Sequence, residues 1–361
     1  MTRRTINFNP GPAAVPTEVL KIVKDELLDY RGTGISILAS SHRSPEYDEI
    51  NDQAMALVRE ILGLGNNYHV LFMTGGASTQ FALVPLNFLN EGQVGAYVDT
   101  GTWSTKAIKE CRVLGQSHEA FSSKNEEYRR IPEMNEISYP ANSAYLHITS
   151  NNTIKGTQYH EIPDTGDVPL VCDMSSDIAS LRRDFNKFSL IYAGAQKNLG
   201  PSGLTVVIIR EDLLTRCKEG LPTMFTYKTY AESKSLYNTP PVFGVYFLKL
   251  VLEWIKQRGG LAAIEEYNRK KKDILYNLID EDPDFFRGTA EKKSRSWMNV
   301  TMRLPDEEME QKFVAEARNR GIIGVKGHRS VGGIRFSLYN AVTIQDVEET
   351  AQFILEFRRS N

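Results

Sequence analysis

Apolar positions at 19, 20, 22, 23 and 27 (Val19, Leu20, Ile22, Val23, Leu27) fall on one side of a helix that Thr17 would cap. The stretch 36–47 reads as a loop. Beyond it, Ile50, Ala54, Leu57, Val58 and Ile61 repeat at helical spacing and predict a second helix. Short apolar, β-branched runs at 69–73, 94–98, 144–149, 168–173, 189–193 and 204–209 then alternate with helical stretches and predict strands. Alternation of this kind predicts an α/β fold: a large domain with a mostly parallel central sheet covered by helices on both faces.

From about residue 245 the pattern changes. Residues 247–256 and 264–279 read as long helices with few breakers, suited to linking two domains. A strand at 297–304, a helix at 307–320 closed by Gly321, a strand at 334–338 and a helix at 344–358 after Thr343 follow. That order predicts a small C-terminal α/β domain of the α+β sandwich kind, joined by the N-terminal segment, which begins extended and is broken by Pro10, Gly11, Pro12 and Pro16. The expected division is a large domain over 16–265 and a small one built from 1–15 and 266–361, with the boundary near 260–270.

A chain of 361 residues buries a large core. Its 43 Lys and Arg against 45 Asp and Glu leave a net charge of −2, which argues against nucleic acid or an anionic membrane as the main partner. Cys111, Cys172 and Cys217 have neither metal-ligand nor disulfide spacing and read as small buried hydrophobes; no metal site is expected. No segment resembles a signal peptide or a membrane span, so the expected location is the reducing cytoplasm.

The chemistry concentrates around one lysine. Between the apolar runs at 189–193 and 204–209 lies Gly194-Ala195-Gln196-Lys197-Asn198-Leu199-Gly200-Pro201-Ser202-Gly203, a loop of small residues with room for a bulky group on the Lys197 amine. A loop lysine is ordinarily solvated; one in a dry pocket loses its charge and attacks a carbonyl to form a Schiff base. The run at 168–173 ends in Asp173, 24 residues earlier, so both groups can leave the same edge of a sheet. A Schiff-base lysine with a carboxylate for a pyridinium nitrogen is what pyridoxal phosphate (PLP) requires. The run at 69–73 leads through Thr74-Gly75-Gly76-Ala77-Ser78-Thr79 into an apolar helix, a helix start suited to a phosphate. Trp103 follows the strand at 94–98, where an aromatic ring can stack on a cofactor or simply fill core. His42-Arg43 and His328-Arg329 are two His-Arg pairs, and Arg335 follows on the next strand; arginine forks suit carboxylates and phosphates, although a loop arginine is usually solvated.

Asp173-Met174-Ser175-Ser176-Asp177 and the Lys197 loop, with Asn7-Phe8-Asn9-Pro10-Gly11-Pro12 and Ser41-His42-Arg43-Ser44 upstream, resemble the phosphoserine aminotransferases, class-V PLP enzymes of fold type I. The resemblance runs from the first ten residues to beyond Arg335. It implies reversible transamination between L-glutamate and 3-phosphohydroxypyruvate, giving 2-oxoglutarate and O-phospho-L-serine in serine biosynthesis; acceptance of a phosphorylated threonine precursor of vitamin B6 stays open. It implies Lys197 and Asp173 as catalytic groups, Ala77, Ser78 and Gln196 near the cofactor phosphate, Trp103 on the ring, and Thr153 beside the phenolic oxygen. Asn238 and Thr239 would reach a neighbouring subunit's cofactor phosphate, making the protein a homodimer with shared active sites. Arg335 would hold the α-carboxylate, while His42, Arg43, His328 and Arg329 would face the substrate phosphate or the glutamate side chain, partly across the interface. Two rivals remain. Among PLP enzymes, a cysteine desulfurase or another small-acid aminotransferase has similar architecture; the desulfurase needs a reactive loop cysteine, and none of the three is obviously placed for it. A cofactor-binding regulator would be expected to lose its substrate arginines, and Arg43, Arg329 and Arg335 are all present.

Overall fold

The chain opens with a two-residue strand, β1 (Ile6–Asn7), and two helices, α1 (Thr17–Glu26) and α2 (Pro45–Leu62). The computed structural model describes residues 5–361, so the first four residues assigned above to the small domain lie outside the described residues. Thr17 is the first helical residue of α1 rather than its cap: Pro16 precedes it and no side chain caps the end. Only Val19 and Val23 of its apolar set are buried, whereas Leu20 and Ile22 are each 42% exposed. Val19 and Val23, four apart, join the apolar cluster that α7 also lines, and α1 packs against α7. In α2, Ser44 Oγ accepts from the Tyr47 N–H at 3.3 Å, Pro45 takes the first turn, and Gly63 closes the helix in the left-handed conformation. All five apolar positions expected in α2 are buried.

Next come β2 (Tyr68–Met73), α3 (Gly76–Phe88), β3 (Val94–Asp99), α4 (Thr102–Leu114), β4 (Gln116–Ser122) and β5 (Ser143–Thr149). A two-strand turn, β6 (Asn151–Asn152) with β7 (Thr157–Gln158), precedes β8 (Leu170–Asp173), β9 (Leu190–Gly194) and β10 (Thr205–Arg210). The seven-stranded sheet has the order β2-β10-β9-β8-β5-β3-β4, and β10 alone runs antiparallel to its two neighbours. Strand β4 has no counterpart among the expected strands. It pairs only with β3, at the sheet edge, and its polar Gln116, Ser117, His118 and Glu119 carry no apolar run to announce it.

Helices α5 (Glu211–Leu214), α6 (Tyr227–Glu232), α7 (Val242–Gln257) and α8 (Gly260–Glu281) follow, and the expected boundary at 260–270 falls inside α8. Strands β11 (Arg287–Gly288), β12 (Asn299–Arg303) and β14 (Ile334–Ser337) form an antiparallel sheet around α9 (Glu307–Asn319) and α10 (Ile344–Arg359), while β13 (Ile322–Ile323) pairs with β1. Thr343 caps α10, reciprocated by Asp346. Two apolar clusters cover the two faces of the large sheet; a third joins Ile6 and Phe8 to residues between 275 and 357. All three cysteines are buried. Among the described residues, no helix is long and apolar enough to cross a membrane.

From β3 the chain steps outward to β4, whereas from β5 it steps the other way through β8 and β9. A crevice therefore opens outside the carboxyl ends of these strands, where α/β sheets bind ligands. Below it His147 of β5 bonds through Nε2 to the Tyr192 hydroxyl of β9 at 2.7 Å, bridging across β8, with its ring tilted on Tyr97 at 5.0 Å. Burial pulls the His147 pKa down to about 3. Because the unfolded chain takes up this proton near pH 6.5 and the folded chain does not, the stability that neutral His147 contributes is present above that pH and lost below it. Replacing His147 with Gln should flatten the fall in stability between pH 6.5 and 5 by up to ~1.4 kcal/mol per pH unit. Urea unfolding at pH 5, 6 and 7 checks this; equal slopes in both proteins would refute it.

Candidate active site

Parallel pairing sets the first two groups side by side. Asp173 ends β8 opposite Tyr192 of β9, and β9 stops at Gly194, so the loop to β10 brings Lys197 out at the same sheet edge. The N-terminal segment crosses here: the Ala13 N–H bonds to the Gln196 carbonyl at 2.9 Å, and Pro10 and Gly11 join the wall of a cavity of about 440 Å³. Ala77, Ser78, Trp103, Thr153, Asp173, Gln196, Lys197, His328 and Arg335 all line it. His42, Arg43, Arg329, Asn238 and Thr239 do not; Arg43, Arg329, Asn238 and Thr239 are exposed at the surface of the chain.

Asp173 is 5% exposed, and its Oδ1 accepts from the Ser175 N–H at 3.0 Å. The Ser175 hydroxyl in turn accepts from the Gly194 N–H at 3.1 Å, tying the ends of β8 and β9 together. Burial pushes the Asp173 carboxyl up, opposed by the positive charge of Lys197. Burial pulls the Lys197 amine down, opposed by Asp173 and then Asp177. Both groups are thus drawn toward their neutral forms while each favours the charge on the other. The Lys197 Nζ lies 5.8 Å from the centre of the Trp103 ring. The Trp103 Nε1–H donates to Thr153 Oγ1 at 3.1 Å, and Arg335 Nη1 donates to the Thr153 carbonyl at 3.0 Å. One short hairpin therefore sets both the aromatic ring and the arginine. Burial, with the charges of Arg335, Arg329 and Lys106, pulls the His328 pKa down.

These residues fit PLP. Gly75 holds the N-cap of α3 with φ +89° and no side-chain cap, so the first N–H groups of the helix stay available to an anion at the cavity wall. Thr149 Oγ1 and Arg335 Nε are buried without partners among the described residues, and both residues line the cavity. Its volume suits a small cofactor with its substrate. Sequence reasoning left out Thr149, Asn151, Ser175 and Ser176, although 175 and 176 stand in the run that follows Asp173. Lys106, outside the cavity wall, places its Nζ 4.7 Å from the Trp103 ring centre, three residues along the same helix.

A lysine and a carboxylate at the carboxyl edge of such a sheet, beside a helix start and an aromatic ring, define a PLP-dependent enzyme of fold type I. The class-V aminotransferase family matches residues 5–350. The phosphoserine aminotransferase of Geobacillus kaustophilus is 53% identical over 357 residues, 99% of each chain. A solved phosphoserine aminotransferase from Bacillus circulans subsp. alkalophilus superposes with a TM-score of 0.98 at 52% identity, over 99% of each chain. A PLP-bound phosphoserine aminotransferase from Trichomonas vaginalis superposes with a TM-score of 0.91 at 36% identity, over 97% of this chain and 99% of that one. The chain belongs to the class-V aminotransferases and, within them, to the phosphoserine aminotransferases.

A Cβ on Gly75 would sit 2.0 Å from Thr79 Oγ1 and 2.8 Å from Thr79 Cβ, on a backbone that L-residues avoid. Gly75→Ala should therefore displace the start of α3 and weaken PLP retention about tenfold, the equivalent of 1–2 kcal/mol of left-handed strain. Cofactor absorbance retained after dialysis measures this; unchanged retention would mean that the phosphate does not sit at this helix start.

Proposed function

We infer that this chain is a PLP-dependent transaminase that exchanges the amino group between L-glutamate and 3-phosphohydroxypyruvate, in serine biosynthesis. The observation that carries the reading is one cavity lined by Lys197, Asp173 and the nearly buried Arg335. PLP supplies an electron-accepting ring for the bond that breaks at the substrate Cα. Asp173 keeps the proton on the ring nitrogen. Lys197, its amine biased toward the neutral form by burial, would be the base that takes the proton from the substrate Cα and gives it back. Trp103 would support the ring, Thr153 would face the phenolic oxygen, and the start of α3 with Ala77, Ser78 and Gln196 would hold the phosphate. Arg335 takes the α-carboxylate common to all substrates, with its unpartnered Nε as a spare donor. The desulfurase alternative lacks its nucleophile: Cys111, Cys172 and Cys217 are buried, and burial pushes the Cys217 thiol up to about 11.

The working form in this reading is a homodimer. His42, Arg43, Asn238 and Thr239 stand away from the cavity of their own chain, as donors meant for a neighbour's would. Leu28, Ile35 and Leu38, 83%, 52% and 62% exposed, lie on the segment leading to His42, and Tyr237, 56% exposed, precedes Asn238. Apolar exposure flanking both donor segments supports a two-fold contact there. The reading takes 16–265 as the large domain and 1–15 with 266–361 as the small one, supported by the separate apolar cluster that Ile6 and Phe8 share with the C-terminal segment. It places the enzyme in the cytoplasm. A phosphorylated hydroxythreonine of vitamin B6 formation, carrying the same phosphate and carboxylate, belongs to the same substrate class.

Borohydride reduction of the holoenzyme should fix the cofactor to the peptide carrying Lys197; label on another lysine overturns the assignment. Arg335→Ala should damage transamination of every donor, including alanine. Arg329→Ala and Arg43→Ala should raise KM for phosphohydroxypyruvate or glutamate by ~10²-fold, about 3 kcal/mol from a charge-assisted contact, and leave the slow alanine reaction little changed. Mixing Arg43→Ala chains with Lys197→Ala chains should restore activity, because each mixed dimer leaves one site intact. Absence of recovery in proven heterodimers would put Arg43 in its own chain's site.

A further inference from the structure

A second cavity, of about 880 Å³, lies behind the catalytic one, and the two share Ile154 and Arg335 in their walls. Its lining is strongly basic: Arg129, Lys155, Arg287, Lys292, Arg295 and Arg303 join Arg335, against Glu127 and Asp280 as the only carboxylates. Part of this charge is neutralised within the fold. Asp280 takes Arg295 at 2.9 and 2.7 Å and Lys292 at 3.1 Å, and Glu310 pairs with Arg303. The remainder has no carboxylate partner among the described residues. Among the described residues Lys155 bonds through its main-chain carbonyl, which accepts from Thr289 and Thr301, and its ammonium has no carboxylate partner. Among the described residues the Arg129 guanidinium bonds only the Thr289 carbonyl, at 3.2 Å, and the Arg287 guanidinium only the carbonyls of Leu304 and Pro305. A carbonyl occupies one N–H of a guanidinium but removes none of its charge. Arg295 Nε is moreover buried with no acceptor among the described residues. Unpaired cations around a concave, partly apolar wall (Ile279, Phe286 and Met302) concentrate positive potential where an anion would complete their bonds.

We propose that this cavity is an accessory binding site for a small phosphate dianion, free or carried on a short carbon chain, separate from the site that takes the transamination substrates. Arginine forks match two phosphate oxygens at once, and Lys155 supplies a point charge. The loop 327–333 gives Gly327, Ser330, Val331 and Gly332 to this cavity and His328 to the catalytic one, so a bound anion rests against the back of the segment that carries His328 and Arg329.

Equilibrium dialysis of the holoenzyme against inorganic phosphate, and separately against phosphoglycolate, tests this. The wild-type protein should bind an equivalent that survives Arg329→Ala and weakens at least ~10-fold in Lys155→Met/Arg287→Met, the loss expected on removing two charge-assisted contacts. The cofactor absorbance should not change. Because Arg287 also bonds main-chain carbonyls, Lys155→Met alone is the second variant: the Lys155 ammonium has no carboxylate partner among the described residues, and its loss should weaken the same equivalent. Tighter binding of phosphoglycolate than of phosphate would identify the ester as the better ligand, and equal binding would identify the free ion; both support the site. Superimposable isotherms for wild type and the Lys155 variants, or loss of all phosphate binding in Arg329→Ala, would overturn it.

Discussion

Taking one amine and one carboxylate out of water at the same sheet edge is the constraint on which the site depends. Desolvation drives both Lys197 and Asp173 toward neutrality, and the charge of each opposes that drift in the other. Each is retained because the other is there and because Ser175 supplies a backbone N–H to the carboxylate. The same opposition makes the pair useful. A lysine that gives up its proton readily and a carboxylate with a cation before it are what a ring-bound nitrogen and a Schiff-base-forming amine require.

Holding that pair calls for a rigid frame, and buried polar bonds supply it. Asn151, just past β5, donates to Ser176 and to Asn299 of β12, both at 2.8 Å. Asn299 donates on to Ser337 at 3.1 Å, at the end of the strand that carries Arg335. Lys271 of α8, its pKa pulled well down by burial, caps the carbonyls of Leu338 and Tyr339 at 2.8 and 2.9 Å. The Tyr339 hydroxyl reaches the Pro10 carbonyl at 3.0 Å, which fastens the N-terminal segment over Lys197. Because all of these groups but the Pro10 carbonyl are buried, losing one partner would leave the other unsatisfied, so the C-terminal sheet and the Lys197 loop keep a fixed relation.

Much of this was legible in the sequence because it rests on local signals. The strands ending at Asp173 and Gly194 are apolar runs with both faces buried, and α2 and α10 carry their caps in their own residues. What was not legible depends on neighbours distant in sequence. Strand β4 exists because β3 offers it an edge, and β10 turns antiparallel to fit between β2 and β9. Leu20 and Ile22 look like core, yet of α1 only Val19 and Val23 are buried. Ser175 and Asn151 bond across segments far apart in the chain, and no spacing rule reveals such partners.

The account turns on Asp173 and Lys197 acting as one unit on the cofactor. The most direct measurement is the half-reaction: stoichiometric glutamate added to the holoenzyme without any ketoacid, followed by absorbance. Wild-type protein should convert the aldehyde absorbance to that of the amine form in a single turnover. An Asp173→Asn protein that still holds cofactor on Lys197 should do so on the order of 10³-fold more slowly, the loss of several kcal/mol of charge stabilisation at the ring nitrogen. Conversion at the wild-type rate with full cofactor occupancy would contradict the account and mean that another group protonates the ring.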